Sequence, residues 1–446
     1  MADLSINMCG IKSPNPFWLA SGPPTNCGEQ IKRAFEAGWG GAVWKTLGQP
    51  IINVSSRLGS VDYSGNRMIG LNNIELITDR PLKENFLEIE DVKKHYPNHA
   101  VIVSLMLETK AEWREFIDRS QDAGADGLEL NFGCPHGMCE RGMGSSVGQE
   151  PKVLEEITGW VTEYAKIPVL VKLTPNVGDI LDPGNAACRG GADGISLINT
   201  IKSIVGVNLD TLIPLPSVAN KSTNGGYCGP AVKPIALHMV AALKRDKNIN
   251  IPISGIGGIS QWQDAAEFIS LGATSVQVCT AVMHYGYRIV EDMLDGLSNY
   301  LDDHGMKSVS ELVGRAIPGF TNWGDLDLNF KVIPKIEADK CIGCQLCYIA
   351  CLDGAHQCIH TYQDLCQAYH GKSDHGNSLR SVIQEPIKHK HSGSIPDFVP
   401  VVDEEECIGC NLCALVCPVP DCITMVERNS PEKTRTRTEN ISAGSS

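Results

Sequence analysis

Two short runs of cysteine constrain this chain more than any other feature. Cys341, Cys344, Cys347 and Cys351 follow the spacing C-x2-C-x2-C-x3-C, and Cys407, Cys410, Cys413 and Cys417 repeat it, the second run followed by Pro418. Thiolates packed this closely fold around an inorganic centre, and the spacing is that of paired 4Fe-4S clusters in which the fourth cysteine of each run ligates the other cluster. The predicted ligand sets are therefore crossed: Cys341, Cys344, Cys347 and Cys417 on one cluster, Cys407, Cys410, Cys413 and Cys351 on the other. Structural zinc also favours C-x2-C motifs, but as separated pairs rather than four closely spaced thiols. Leu352 stands where a proline is usual after the first run, which removes no ligand. Cys358, Cys366 and Cys422 are left over and read as bystanders, and His370, His375, His389 and His391 between the runs read as a solvated polar face.

Cysteines used in this way point to a reducing compartment, the cytoplasm, rather than to disulfides. The 52 acidic against 38 basic residues give a net charge of −14, and no Lys/Arg cluster marks a surface for nucleic acid or for an anionic membrane. Nowhere do roughly 18 apolar residues run uninterrupted, and the first residues lack a basic start and an apolar stretch, so neither a membrane span nor an export signal is expected.

Ahead of the cysteine runs, residues 15–304 alternate short apolar, β-branched stretches with longer segments of helical periodicity. Eight candidate strands fall at residues 15–21, 41–47, 100–106, 127–133, 168–174, 194–200, 251–258 and 275–281. Eight βα units of this total length predict an α/β fold, a closed (β/α)8 TIM barrel; a doubly wound open sheet would give much the same local pattern. Residues 51–77 and 202–229 interrupt the repeat after strands two and six and are expected over the barrel mouth, where βα loops build pockets. The predicted organisation is a barrel over residues 1–307, a linker or capping segment over 308–334, a small cysteine-rich module over 335–426 with a polar insertion near 359–400, and a disordered tail over 427–446, which has too little apolar surface to offset ordering.

Polar residues gather where the candidate strands end: Lys45, Asn131, Lys172, Asn199 and Thr200, with Gly257 and Gly258 after the seventh strand. A single strand-end lysine can simply snorkel, but several such residues together mark the chemistry of a barrel. Gly255, Gly257 and Gly258, with Thr280 after the eighth strand, would offer backbone N–H groups to a phosphate, which suggests a mononucleotide. No G-x-G-x-x-G fingerprint follows any strand, so no dinucleotide site is visible. The loop 131–144 is too glycine-rich for helix and carries Cys134 between a strand end and Pro135-His136; its thiol is a candidate acid, and a buried apolar cysteine is the bland alternative. Cys139 adds a second thiol to the same loop.

Asn131-Phe132-Gly133-Cys134-Pro135-His136-Gly137, Lys172-Leu173-Thr174-Pro175-Asn176, Asn72-Asn73-Ile74-Glu75-Leu76 and the twin cysteine runs, taken together, resemble the dihydropyrimidine dehydrogenases and, more widely, the dihydroorotate dehydrogenases, over about residues 3–427. The resemblance implies an FMN-binding TIM barrel followed by an α+β module of the bacterial two-cluster ferredoxin type. It implies reduction of uracil and thymine to 5,6-dihydropyrimidines, the first step of pyrimidine degradation, with hydride from reduced FMN N5 to C6 and a proton to C5 from Cys134. Asn73, Glu75, Asn131, Asn199 and Thr200 would then bind the pyrimidine. Ser21, Lys45, Thr46 and Lys172 would face the flavin, with Lys172 stabilising its reduced anion, and Gly225, Gly226, Gly257, Gly258 and Thr280 would hold its phosphate. NAD(P)H and FAD would sit on a separate flavoprotein subunit of a heteromer, feeding electrons through the clusters. Two other readings stay open: a dihydroorotate dehydrogenase of pyrimidine synthesis, against which Glu75 would repel a carboxylate-bearing substrate, and an electron-transfer protein without pyrimidine turnover.

Overall fold

The computed structural model describes residues 1–49, 51–135, 137, 141–361, 364 and 399–428. The calls on His136, on Cys139, on Cys366 and the histidines of the polar insertion, and on residues 429–446 of the tail lie outside the described residues. The chain divides into two compact units, Met1–Phe320 and Thr321–Ser446.

The first unit is a closed barrel of eight parallel strands in sequential order: β1 Phe17–Leu19, β2 Gly41–Leu47, β3 Ala100–Leu105, β4 Gly127–Asn131, β5 Val169–Lys172, β6 Gly194–Leu197, β7 Ile253–Ile256 and β8 Ala273–Val278. Closure falls between β8 and β1, where Val276, Gln277 and Val278 pair with Phe17, Trp18 and Leu19. All eight candidate strands are therefore real, and the open sheet is excluded. Each strand is followed by a helix: α1 Gly28–Ala37, α2 Leu82–His95, α3 Lys110–Asp122, α4 Pro151–Thr162, α5 Leu181–Arg189, α6 Lys233–Arg245, α7 Trp262–Ser270 and α8 Ile289–Asp303. At the start of α3 side chains satisfy free N–H groups: Thr109 Oγ1 accepts from Glu112 N at 3.3 Å while Glu112 Oε2 accepts from Thr109 N at 2.9 Å. Their apolar faces close on the outer face of the strands, in a single core that runs from Phe17 and Ile31 through Trp113, Leu173 and Phe268 to Leu301.

The N-terminal end of the barrel is plugged. Strands Ile6–Met8 and Ile11–Ser13 form a hairpin whose Met8 and Ile11 pack, fully or almost fully buried, against Trp18, Val43, Ala100, Ile102 and Leu170. Chemistry is left to the C-terminal mouth. There the two insertions meet: Ile201–Ser203, Gly225–Cys228, Asn66–Asn73 and Leu58–Tyr63 form one four-stranded antiparallel sheet, with Asn73 opposite both Leu58 and Gly226. Part of the segment expected as a linker or cap lies in this unit, where Val309 and Leu312 are buried in the core and Ser308 bridges to Asp3. The reason is burial: Val309 in the short 3-10 turn Val309–Glu311 and Leu312 just after it are apolar side chains that the helical shell can cover.

The second unit has a repeated plan. Val332–Ile336 pairs antiparallel with Ile423–Glu427, and Ile359–His360 with Val401–Val402. A short helix follows the start of each cysteine run, Leu346–Gly354 and Leu412–Leu415. Its core is made largely of cysteines, with Ile359 and Ile423.

Candidate functional site

Two chambers open at the barrel mouth and share a wall made of Ser21, Asn199, Thr200, Cys228, Cys279 and Thr280. The larger, about 630 Å³, reaches Lys172 at the end of β5, Gln277 in β8 and the turn Gly257–Gly258 after β7. The smaller, about 120 Å³, is bounded by Lys45, Thr46, Asn73, Glu75, Asn131 and Cys134. Residues from seven βα units and from the sheet over the mouth thus converge on one place, although up to 259 positions separate Ser21 from Thr280 in sequence.

A chain of hydrogen bonds fixes the floor between the chambers. Asn199 Nδ2 donates to Asn131 Oδ1 at 2.8 Å, and Asn131 Nδ2 donates to Thr46 Oγ1 at 2.9 Å. Thr46 Oγ1 lies 3.1 Å from Ser21 Oγ and 2.9 Å from Ser104 Oγ. Each amide is thereby oriented, which is what a pocket that reads a small polar heterocycle needs. Asn73 Nδ2 reaches Gly226 O at 3.4 Å across the insertion sheet.

Charge in the smaller chamber is arranged as a cluster. Lys45 Nζ is 2.5 Å from Glu75 Oε1, with only 6 % and 11 % of the side chains exposed, and Arg57 NH1 approaches the same oxygen at 3.4 Å. Lys45 and Thr46 line the smaller chamber, beside the wall that the two chambers share. Glu75 is neutralised by two cations, so its power to repel a carboxylate is much weaker than a lone carboxylate's.

Below Lys172 lies a charge that the sequence reading missed. Glu129, fully buried in β4, stands 3.3 Å from Lys172 Nζ through Oε1, and its Oε2 accepts from Ser196 Oγ at 2.8 Å and Gln277 Nε2 at 3.0 Å. The signal was present: Glu129 is two residues before Asn131 and so on the same face of the strand, inside the barrel.

The larger chamber fits a mononucleotide cofactor on its own chemistry. Gln277 Oε1 is buried in its wall without a partner. Gly258 adopts φ +77°, and a Cβ there would lie 2.9 Å from Gly229 O, so the turn has room for backbone but not for a side chain. Gly229, which the sequence reading also missed, lines this chamber. Gly225 and Gly226 do not: they are buried in the insertion sheet, with the side chains of Asn72 and Thr200 packed against them. Cys228 and Cys279 lie at the shared wall as neutral thiols. Burial pushes Cys228 up to about 11, against the pull of the Thr280 hydroxyl, and burial with the nearby Cys228 pushes Cys279 up to about 12.

Cys134 sits at the edge of the smaller chamber, 9 % exposed, against Ile77, Met106 and Met143. Its carbonyl accepts from Ser145 N at 2.9 Å, and the loop folds back this closely because Gly144 takes φ +61°, where a Cβ would lie 2.7 Å from Cys134 O.

In the second unit the cysteines surround two separate cavities. Cys351, Cys407, Cys410 and Cys413 line one; Cys341, Cys344, Cys347 and Cys417 line the other. Each lining set takes three cysteines from one run and the fourth from the other.

A flavin-sized chamber at the mouth of a (β/α)8 barrel, joined in one chain to a two-cluster unit, defines a redox enzyme, and the chain belongs to the dihydroorotate dehydrogenase family, whose model matches residues 3–301. Models of the 4Fe-4S binding domain match residues 338–354 and 400–420, which enclose the two cysteine runs. Among individual relatives, the NAD-dependent dihydropyrimidine dehydrogenase subunit PreA of Escherichia coli K12 is 47 % identical over 359 residues, 80 % of this chain and 87 % of that one. The chloroplastic dihydropyrimidine dehydrogenase (NADP(+)) of Arabidopsis thaliana is 43 % identical over 73 % of this chain and 79 % of its own. The catalytic subunit of dihydroorotate dehydrogenase B (NAD(+)) of Pyrococcus abyssi is 39 % identical over 70 % of this chain and 99 % of its own. The protein is therefore a pyrimidine-related oxidoreductase that carries 4Fe-4S clusters. Among the described residues no helix is long and apolar enough to cross a membrane.

Proposed function

We propose that the chain reduces uracil and thymine to their 5,6-dihydro forms with FMN in the larger chamber and the pyrimidine in the smaller. The observation that carries this reading is the content of the smaller chamber, which brings Cys134 together with Asn73, Glu75, Asn131, Asn199 and Thr200. FMN, when bound, supplies the hydride that C6 receives. Asn131, Asn199 and Asn73 present amides that can both donate to the carbonyls and accept from the N–H groups of a neutral pyrimidine ring. Glu75, held by Lys45 and Arg57, offers an acceptor to a ring N–H. Cys134 delivers the proton to C5, so that two electrons and two protons complete the product. Lys172 would face the flavin and stabilise its reduced, anionic form, with Ser21 beside it; Gly257, Gly258 and Thr280 would take the phosphate. Gly225 and Gly226 would act indirectly, by holding the sheet that carries Asn73 and Thr200 in place. The crossed cysteine sets would bind the two clusters and pass electrons from NAD(P)H and FAD on a partner flavoprotein, in keeping with a relative named as a subunit. We place this activity in the cytoplasm, where the thiols stay reduced.

A second reading, turnover of a carboxylate-bearing pyrimidine, is favoured by one observation, the paired cations Lys45 and Arg57 around Glu75. One anaerobic experiment separates the two. The loaded full chain is reduced chemically, uracil and orotate are added separately, and flavin reoxidation is followed with product analysis. Reoxidation and dihydrouracil with uracil alone is the expected result. Reoxidation with orotate alone overturns the proposal in favour of the second reading, and a flavin that responds to neither makes the chain an electron carrier.

A further inference from the structure

The interior of the barrel carries a buried polar network that contains one charge the proposed chemistry does not use. Ser196 Oγ and Gln277 Nε2 both donate to Glu129 Oε2, at 2.8 and 3.0 Å; Gln277 Nε2 also reaches Ser254 Oγ at 3.2 Å, and Ser254 Oγ lies 2.8 Å from Ser275 Oγ. All five side chains are buried, and they come from β4, β6, β7 and β8, so only closure of the barrel brings them together. The remaining oxygen, Glu129 Oε1, accepts no hydrogen bond and faces Lys172 Nζ at 3.3 Å. Two donors on one oxygen and a lysine at the other make the arrangement that of a carboxylate, which only accepts. Because Ser196 and Gln277 hold Oε2, Oε1 is left to the lysine.

A buried pair of this kind is weak evidence for stability, since taking two ions out of water costs about as much as their attraction returns and apolar side chains of equal volume often serve as well. Its position has a consequence elsewhere. Lys172 lines the larger chamber and is at the same time in contact with Glu129, which does not line it. One ammonium is thus shared between a fixed anion within the barrel and any anion the chamber holds. Away from bulk water a unit charge acts over several ångströms with little screening. While Glu129 is charged, the pair presents a chamber ligand with no net charge; without it, Lys172 would present a full positive one.

We infer that Glu129 is a positioning residue that holds down the reduction potential of the flavin by neutralising Lys172, and so keeps the reduced flavin a strong hydride donor to a pyrimidine double bond. The inference rests on the reading that FMN occupies the larger chamber with Lys172 against its reduced, anionic form. Of the two flavin states the reduced one is the more negative, and a nearby anion disfavours it. Glu129→Gln removes that anion and keeps the shape, whereas Glu129→Asp keeps the charge and draws it back from Lys172 by one methylene.

The test is an anaerobic redox titration of the FMN-loaded full chain against reference dyes, with an FMN-free sample titrated alongside so that other chromophores are subtracted. It compares wild type, Glu129→Gln, Glu129→Asp and the double variant Glu129→Gln with Lys172→Met. In Glu129→Gln the flavin potential should rise, by about tenfold in the reduced-to-oxidised ratio at fixed poise, or about 30 mV for a two-electron couple. Glu129→Asp should rise by less, and the double variant should lose the rise because the freed cation is gone. A Glu129→Gln potential equal to that of wild type overturns the inference, as does a rise that survives the loss of Lys172 or an aspartate variant that shifts as far as the glutamine one. Should Glu129→Gln fail to fold or to take up flavin, Glu129→Asp decides: a raised potential supports the inference and the wild-type value overturns it. A wild-type chain that binds no FMN, seen in its absorbance before any titration, overturns the reading beneath it instead.

Discussion

Replacing Glu129 by Gln tests whether the barrel floor is held by charge. Glu129 is fully buried; its Oε2 accepts from Ser196 Oγ at 2.8 Å and Gln277 Nε2 at 3.0 Å, and its Oε1, which accepts no hydrogen bond, faces Lys172 Nζ as an ion pair at 3.3 Å. Glutamine keeps the shape but has one acceptor oxygen where the carboxylate has two, and its NH2 must then face a donor. At least one contact is lost and Lys172 is left without its anion. Removing one partner of a buried ion pair costs about 3–5 kcal/mol. At about 2–4 °C per kcal/mol for domains of moderate size, and at the low end for a barrel this large, the unfolding midpoint should fall by roughly 6–10 °C. Bound reduced flavin should recover part of this loss, because the unpaired Lys172 gains an anionic partner from the larger chamber. The assay is thermal unfolding of the cofactor-free and flavin-loaded full chain by circular dichroism, wild type against Glu129→Gln. A cofactor-free variant that melts within a degree or so of wild type would show that the Glu129–Lys172 pair does not hold the floor, and the ion-pair reasoning would fail.

Cys134→Ala should leave flavin absorbance intact and lower pyrimidine reduction by about 10²–10⁴-fold, the usual contribution of a positioned acid; wild-type turnover would remove Cys134 from the proton's path. Gly258→Ala must hold φ near +77° with its Cβ 2.9 Å from Gly229 O, so the loss of left-handed freedom alone should cost about 1–2 kcal/mol. FMN should then bind roughly tenfold more weakly by equilibrium dialysis, and unaltered binding would place the phosphate elsewhere. Burial alone would raise the Glu88 carboxyl, but Arg80 at 2.6 Å and the Gly28 N–H at 2.8 Å, at the start of α1, hold it below its ordinary value of 4.5. Its folded-state value is depressed, so its stabilisation is present above 4.5 and is lost as pH falls through the depressed value. Urea midpoints of wild type should drop over that range more steeply than those of Glu88→Gln, and parallel curves would refute the assignment.

Much of this was readable along the chain because it is local. The period of apolar residues marked all eight strands of the barrel, and β2 was placed to the residue, because a strand buried on both faces reads as an apolar run, broken here only by Lys45 and Thr46 near its end. Cysteine spacing marked the cluster unit because one run wraps one face of a cluster. The ends of β4, β5 and β6 named Asn131, Lys172 and Asn199 because a barrel presents its chemistry at strand ends.

What the chain alone could not show is which distant segments meet. Residues 58–73 and 201–228 join in one sheet only because barrel closure brings the loops after β2 and β6 over the same mouth. That pairing places Gly225 and Gly226 in a sheet and leaves Gly229 lining the larger chamber. It also sets Glu75 between Lys45 and Arg57, a neutralisation that depends on a separation of a few ångströms and leaves no trace in spacing. Glu129 is the same case. The sequence by itself determined the elements and the inorganic chemistry, because periodicity and ligand spacing are properties of neighbouring residues. The tertiary structure alone decided the charges, partners and cavity walls, because those arise where the closed barrel and the paired cysteine runs bring remote residues within contact.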